Sequence, residues 1–197
     1  MKDRKASYAR TTSETDISVS INLDGTGVAT VDTGIGFFDH MLKSFAKHGF
    51  FDLAVKCKGD LFIDCHHTIE DTGIVLGKAL KKALGDKTGI KRYASFTMPM
   101  DDALVLSAVD LSGRPYLSYD LTLTTPQVGY FDTEMVKEFF YAVSYAAEMN
   151  IHIKQFSGEN NHHLIEAAFK AFANALKEAT RFDPRLGDDL LSTKGAL

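Results

Sequence analysis

The chain has 197 residues, 45% hydrophobic and 24% charged, with a formal net charge of −4, which suits one sizeable globular domain or two small ones sharing a core. It has no Lys/Arg run to recruit nucleic acid, no apolar stretch near the ~18–20 residues of a membrane helix, and no apolar signal core behind Met1-Lys2-Asp3-Arg4-Lys5. Cys57 and Cys65 fit neither a disulfide framework nor a Cys-x-x-Cys site, so a cytoplasmic protein with no nucleic-acid or membrane partner is expected.

Residues 6–23 read as a long strand segment, because Ile17, Val19, Ile21 and Leu23 alternate with Ser18, Ser20 and Asn22. Within it, Arg10-Thr11-Thr12-Ser13-Glu14-Thr15 is polar and reads as an exposed edge. Asp24-Gly25-Thr26-Gly27 is a hairpin signal, with a return strand starting at Val28. Thr33-Gly34-Ile35-Gly36 leads into a helix whose apolar face carries Phe38, Met41, Leu42 and Phe45, with His40 beside that face. Gly49 is expected to close this helix. A strand follows over 51–58, and a second helix runs from the His66-His67 pair to about Leu84, stopping in Gly85-Asp86-Lys87-Thr88-Gly89.

The second half repeats this order. Strands are expected over 93–98 and 103–111, a turn at Ser112-Gly113-Arg114-Pro115 and a return strand over 116–123. The loop Pro126-Gln127-Val128-Gly129 leads to a helix over 133–148, a strand over 150–155 and a last helix to about Thr180. The offset between halves marks an internal duplication, with residues 1–90 as the first half-domain and 91–197 as the second half-domain plus a tail. Packing the halves helix side to helix side buries both sets of helices in one core.

The clearest repeat is Asp64-Cys65-His66-His67-Thr68-Ile69-Glu70, which returns 96 residues later as Asn160-Asn161-His162-His163-Leu164-Ile165-Glu166. On a helix, residues four apart share a face, so His66 with Glu70, and His162 with Glu166, can each grip one ion. Adjacent histidines point about 100° apart, so His66 and His67 serve different metals. Two metals follow, each taking a His and a Glu from one helix and the odd His from the other. Imidazole and carboxylate together suit Mn, Fe, Co or Zn. Counting back through the aligned strands sets Glu138 opposite His40, a ligand swapped for a ligand, while His152 falls opposite Ala54 and reads as structural. A metal-storage shell and a two-metal hydrolase share this donor set and stay open here.

Along nearly its whole length the chain resembles the imidazoleglycerol-phosphate dehydratase family. The resemblance rests on Arg10 through Thr15, Gly34-Ile35-Gly36-Phe37-Phe38-Asp39-His40-Met41-Leu42, and Asp64 through Asp71. It continues in Asp110-Leu111-Ser112-Gly113-Arg114-Pro115-Tyr116, Gly158 through Ala171, and Ser192-Thr193-Lys194-Gly195. It implies an α/β (α+β) fold of two duplicated half-domains, each a mixed, mostly antiparallel sheet with two helices, the helices packed between two sheets (ribosomal protein S5 domain 2-like). It also implies a lyase of histidine biosynthesis with two Mn2+ per active site, and a homo-oligomer of twenty-four subunits with sites at subunit interfaces.

By position, the resemblance assigns His40, His67, His162 and Glu166 to one metal, and His66, Glu70, His163 and residue 138 to the other. Many members carry histidine at that last place, where Glu138 stands here. Glu14 is implied as general acid/base, with His48 as a second catalytic candidate. The substrate, a small phosphorylated imidazole, is expected to meet Glu14, His40, His66, Glu70 and His162, with Arg92, Arg114, Lys170, Ser192 and Lys194 around its phosphate.

Overall fold

A computed structural model describes residues 4–196; residues 1–3 of the polar amino terminus and residue 197 lie outside the described residues. The first half folds as β1 (Lys5–Thr11), β2 (Thr15–Asn22), β3 (Ala29–Asp32), α1 (Gly36–Gly49), β4 (Asp52–Gly59) and α2 (His66–Leu84). Its sheet has the order β1-β2-β4-β3, with β3 parallel to β4 and the other pairs antiparallel. The alternation legible in β2 turns Ile17, Val19 and Ile21 inward, where they register with Cys57, Val55 and Leu53 of β4.

The second half folds as β5 (Tyr93–Met100), β6 (Ala103–Asp110), β7 (Tyr116–Asp120), β8 (Gln127–Val128), β9 (Phe131–Asp132), α3 (Met135–Ala147), β10 (Asn150–Ser157) and α4 (Asn161–Thr180). Its sheet order, β5-β6-β10-β7, repeats the first, again with one parallel pair at the end.

Helices α1 and α2 cover the first sheet, α3 and α4 cover the second, and the helical layers meet, α2 against α3 and α1 against α4. The implied fold of two duplicated half-domains is therefore present, with four helices between two sheets. Aromatic rings fill the seam: Phe45 stacks on Phe172 at 5.6 Å between centroids, and Phe38 meets Phe139 edge-on at 5.3 Å. Each fully buried Phe contributes about 1.5–3 kcal/mol by leaving water. Between α2 and α3 the backbones come much closer. A Cβ on Gly73 would stand 2.9 Å from Ala142 Cβ, and one on Gly77 would stand 2.6 Å from Ala146 Cβ and 2.9 Å from the Val143 carbonyl oxygen. Only small residues on both helices permit that approach.

Three local expectations are corrected. Residues 6–23 are two strands, because Thr12 Oγ1 accepts the N–H groups of Glu14 and Thr15 at 3.1 and 3.0 Å and turns the chain between them. Asp24-Gly25-Thr26-Gly27 does not make a β2–β3 hairpin; β4 lies between those strands. The cause is Asp52 at the head of β4, whose Oδ1 accepts the N–H groups of Thr26 at 2.8 Å and Val28 at 3.2 Å and carries the turn across the end of β4. Asn150 does the same in the second half, donating from Nδ2 to the Arg114 carbonyl at 2.6 Å. Gly49 closes α1 as expected; Phe50 after it takes the left-handed turn (φ 56°), and the missing Cβ of Gly49 makes room for the Phe51 ring. The loop before α3 holds the small hairpin β8–β9, which delivers the buried Phe131 onto Phe37 at 5.4 Å.

Candidate metal centre

Both His-His pairs open a helix, as their sequence suggests. The His66 N–H donates to Asp64 Oδ1 at 2.7 Å, and the His163 N–H donates to Asn160 Oδ1 at 3.2 Å. Each polar side chain satisfies a first-turn donor that the helix itself leaves open.

At α4 three potential ligands converge. His40 comes from α1, just past its first turn, and its Nε2 lies 3.5 Å from Glu166 Oε2; His162 Nε2 lies 3.3 Å from the same oxygen. One ligand atom from each of the three lies within 4.8 Å of the others. Glu166 is only 7% exposed, and Lys170 donates to its other oxygen at 2.8 Å. Burial pushes the Glu166 carboxyl up, but the Lys170 hydrogen bond and charge, with His40 and His162 beside it, outweigh that and hold it below its ordinary value. Phe37 packs its ring edge-on against His162 at 5.0 Å and so limits the ring's swing.

The remaining candidates stand in other company. His66 Nε2 faces Glu70 Oε2 at 3.7 Å, with the two side chains 47% and 40% exposed. His67 presents Nε2 to Glu14 Oε1 at 3.7 Å, and its Nδ1 lies 3.0 Å from Asp60 Oδ2, a contact that raises the imidazole pKa. Thus Glu14, set on the turn between β1 and β2, reaches the head of α2. Arg10 and Thr15 fix that turn: Arg10 pairs with Asp71 of α2, and Thr15 Oγ1 donates to Asp71 at 2.5 Å. His163 Nδ1 lies 2.6 Å from Asp102 Oδ1, and its Nε2 lies 3.4 Å from Asp101.

Glu138 meets none of the candidate histidines among the described residues. It lines a hollow of about 390 Å3 with Tyr119, Leu121, Leu123, Thr133, Glu134 and Lys137. His48 lies near the end of α1; burial lowers its pKa first, and the Lys170 charge lowers it further. His152 lies on the outer face of the second sheet, 5.7 Å from the Tyr116 ring.

The phosphate candidates divide as well. Arg92 grips Asp110 through Nε and Nη2 at 2.8 and 3.1 Å and donates from Nη1 to the Leu191 carbonyl at 2.7 Å, so it stands beside the tail that carries Ser192 and Lys194. In that tail Ser192 Oγ donates to the Ala196 carbonyl at 2.9 Å and accepts the Lys194 N–H at 3.3 Å. Arg114 sits in the Ser112–Pro115 turn, its N–H on Ser112 Oγ at 3.3 Å. Lys170 is with Glu166 in the other cluster. Asp60, Asp102 and Phe37 are contacts that reading the sequence missed. Asp60 carries a weak signal, seven residues ahead of His67; Asp102 carries none, since 61 residues separate it from His163.

Comparison with known proteins identifies the family. A profile described as imidazoleglycerol-phosphate dehydratase matches residues 33–176. The chain is similar to the imidazoleglycerol-phosphate dehydratases of Lachnoclostridium phytofermentans, 64% identical over 99% of each chain, and Acetivibrio thermocellus, 58% identical over 99% of this chain and 100% of the other. Among solved structures, the dehydratase from Staphylococcus aureus superposes with a TM-score of 0.82 at 41% identity, covering 91% of this chain and 99% of that one. The Pyrococcus furiosus protein in complex with (S)-C348 gives the same score and identity over 96% and 99%. Motifs, fold and relatives thus agree over the whole length, and the chain belongs to the imidazoleglycerol-phosphate dehydratase family.

Proposed function

We propose that the chain dehydrates D-erythro-imidazole glycerol phosphate to imidazole acetol phosphate using two Mn2+ per site, at sites completed where copies of the chain meet. Family membership makes it a hydro-lyase of histidine biosynthesis acting on a small phosphorylated imidazole. The observation that carries the metal reading is the convergence of His40, His162 and Glu166. Glu166 is buried, one oxygen is occupied by Lys170, and the other is aimed at two imidazole nitrogens. That donor set fits a first-row divalent cation.

One metal would be held by His40, His67, His162 and Glu166, the other by His66, Glu70, His163 and Glu138. When bound, such ions supply Lewis acidity to the substrate's imidazole, the electron reservoir for a carbon that has no neighbouring carbonyl. The chain's own residues handle the rest. Glu14, half exposed and facing His67, takes the proton from the carbon chain and returns one to the departing hydroxyl, so that hydrogen and hydroxyl leave together as water. The resulting enol becomes the ketone. His48 is the second catalytic candidate, and its lowered pKa keeps it neutral near pH 7, fit to accept a proton. Arg92, Arg114, Lys170, Ser192 and Lys194 supply the charge and hydroxyl groups a phosphate needs.

Two features support sites between subunits. Within one chain His66, His67 and His163 face partners other than the α4 cluster. Around the head of α2, Phe62 and Tyr130 are about nine-tenths exposed, a surface that copies of the chain would cover. An assembly of twenty-four subunits working in the cytoplasm completes the proposal; among the described residues no helix is long and apolar enough to cross a membrane. The test is to strip the protein with chelator, reload it with Mn2+, count the metal and assay the ketone product, with sedimentation in parallel. Two ions per chain-equivalent site and metal-dependent product are expected. Full turnover by metal-free protein would overturn the metal reading.

A further inference from the structure

Two aspartates outside the proposed ligand sets occupy the far side of the outer histidines. Asp60 places its two oxygens 3.0 and 3.2 Å from His67 Nδ1, and Asp102 places one oxygen 2.6 Å from His163 Nδ1. Each ring also faces a more distant carboxylate at Nε2, Glu14 at 3.7 Å and Asp101 at 3.4 Å. An ionised carboxylate only accepts hydrogen bonds, so in a neutral ring the closer partner draws the proton to Nδ1 and leaves the lone pair on Nε2. Neither aspartate is free to turn away. The Asp60 side chain is only 11% exposed, and Asp102 Oδ2 accepts the N–H groups of Glu159 and Asn160 at 2.7 and 3.0 Å.

The two halves reach this arrangement from different places. Asp60 follows β4 directly and belongs to the turn ahead of α2, whereas Asp102 belongs to the turn between β5 and β6. Duplication of one contact does not account for both. What the two share is the closer carboxylate at Nδ1, with Nε2 left to the longer contact.

We infer that Asp60 and Asp102 are positioning residues that fix the tautomer and ring direction of His67 and His163, so that each offers Nε2 to a metal. This rests on the Mn2+ reading, and the experiment separates the two. Mn2+ affinity of the chelator-stripped, full-length protein is measured by equilibrium dialysis with electron paramagnetic resonance for the parent, Asp60→Ala, Asp102→Ala and, as a control, Asp52→Ala. Asp52 ties a turn through backbone N–H groups in the same manner but meets no histidine among the described residues. The first two variants are expected to bind Mn2+ about tenfold to a hundredfold more weakly, and the control to match the parent.

Should Asp102→Ala fail to fold, Asp102→Asn keeps an oxygen for the loop while losing the charge, and a loss of about fivefold is expected. Affinities within about twofold of the parent in Asp60→Ala and in whichever Asp102 variant folds would overturn the inference while leaving the metal reading intact. A parent that takes up no Mn2+ would overturn both.

Discussion

The His-His-x-x-Glu motif at the head of α2 and its copy at the head of α4 share sequence and helical position but not surroundings. The copy on α4 has a buried carboxylate, held on one side by Lys170 and facing His40 and His162 on the other. The copy on α2 leaves Glu70 two-fifths exposed, with His66 as its partner. Two substitutions account for the contrast. At the 96-residue offset Lys170 corresponds to Ile74, so Glu70 has no lysine to hold it. His40 and Glu138 each stand ten residues before a left-handed cap, Phe50 and Glu148 (φ 56° and 54°), so they are equivalent in the fold as well as in the count. The imidazole that reaches over to α4 is thus a carboxylate on the side of α2, and it turns into a different hollow. Within the chain one copy thus gathers three potential ligands, while the other brings together only His66 and Glu70.

Four experiments would break or sharpen that contrast. The largest effect is expected from Glu14→Gln, which removes the proposed proton carrier beside His67. Turnover should fall by about 10²–10⁴-fold while metal content and substrate affinity stay near those of the parent; turnover close to the parent's would exclude Glu14 from proton transfer. Next, Glu166→Ala leaves Lys170 without its partner and should cost about 2 kcal/mol in denaturant melts of metal-free protein, less than a fully buried pair because the cluster opens to solvent at His40. Glu70→Ala should stay within about 0.5 kcal/mol. Equal losses would mean that the two copies are equally built.

Metal counting then tests the swapped position. Glu138→Ala is expected to lose about half of the bound Mn2+ and Glu138→His to keep it, since either side chain suits the ion; undiminished metal in the alanine variant removes Glu138 from the site. The smallest effect is the pH dependence of stability in metal-free protein. Glu166 titrates below its ordinary value of 4.5 when folded, so the stability it lends is complete above that value and fades as pH falls through the lowered one. His67 is shifted the other way by Asp60, so its contribution is complete below the ordinary 6.5 and fades as pH rises through the raised value. Glu166→Gln should therefore flatten the acid limb and Asp60→Asn the neutral-to-alkaline limb, each read from chemical melts at successive pH values.

Much of this architecture is legible in the sequence because it rests on period and repetition. The alternation of Ile17, Val19 and Ile21, the helical spacing of Phe38, Met41, Leu42 and Phe45, and the repeat of His-His-x-x-Glu each report a local geometry that packing then preserves. The pairing of His40 with α4 is less direct, and the count to Glu138 supplies the hint. What escapes the reading depends on approach through space. The Asp24–Gly27 turn carries a strong hairpin signal, yet a side chain 26 residues further on, Asp52, captures its N–H groups and sends β3 to the far side of β4. Lys170 lies one helical turn from Glu166, so an ion pair is available to it, but nothing local decides between that carboxylate and a phosphate. The carboxylate behind His163 arrives from another strand pair altogether.

The contact of Gly73 and Gly77 with Ala142 and Ala146 has a consequence for the duplication itself. Backbones that close leave no room for solvent or for a longer side chain, so one half cannot slide or tilt on the other without collision. Expressed apart, either half would show its helical layer to water, and the full chain should melt as a single cooperative body.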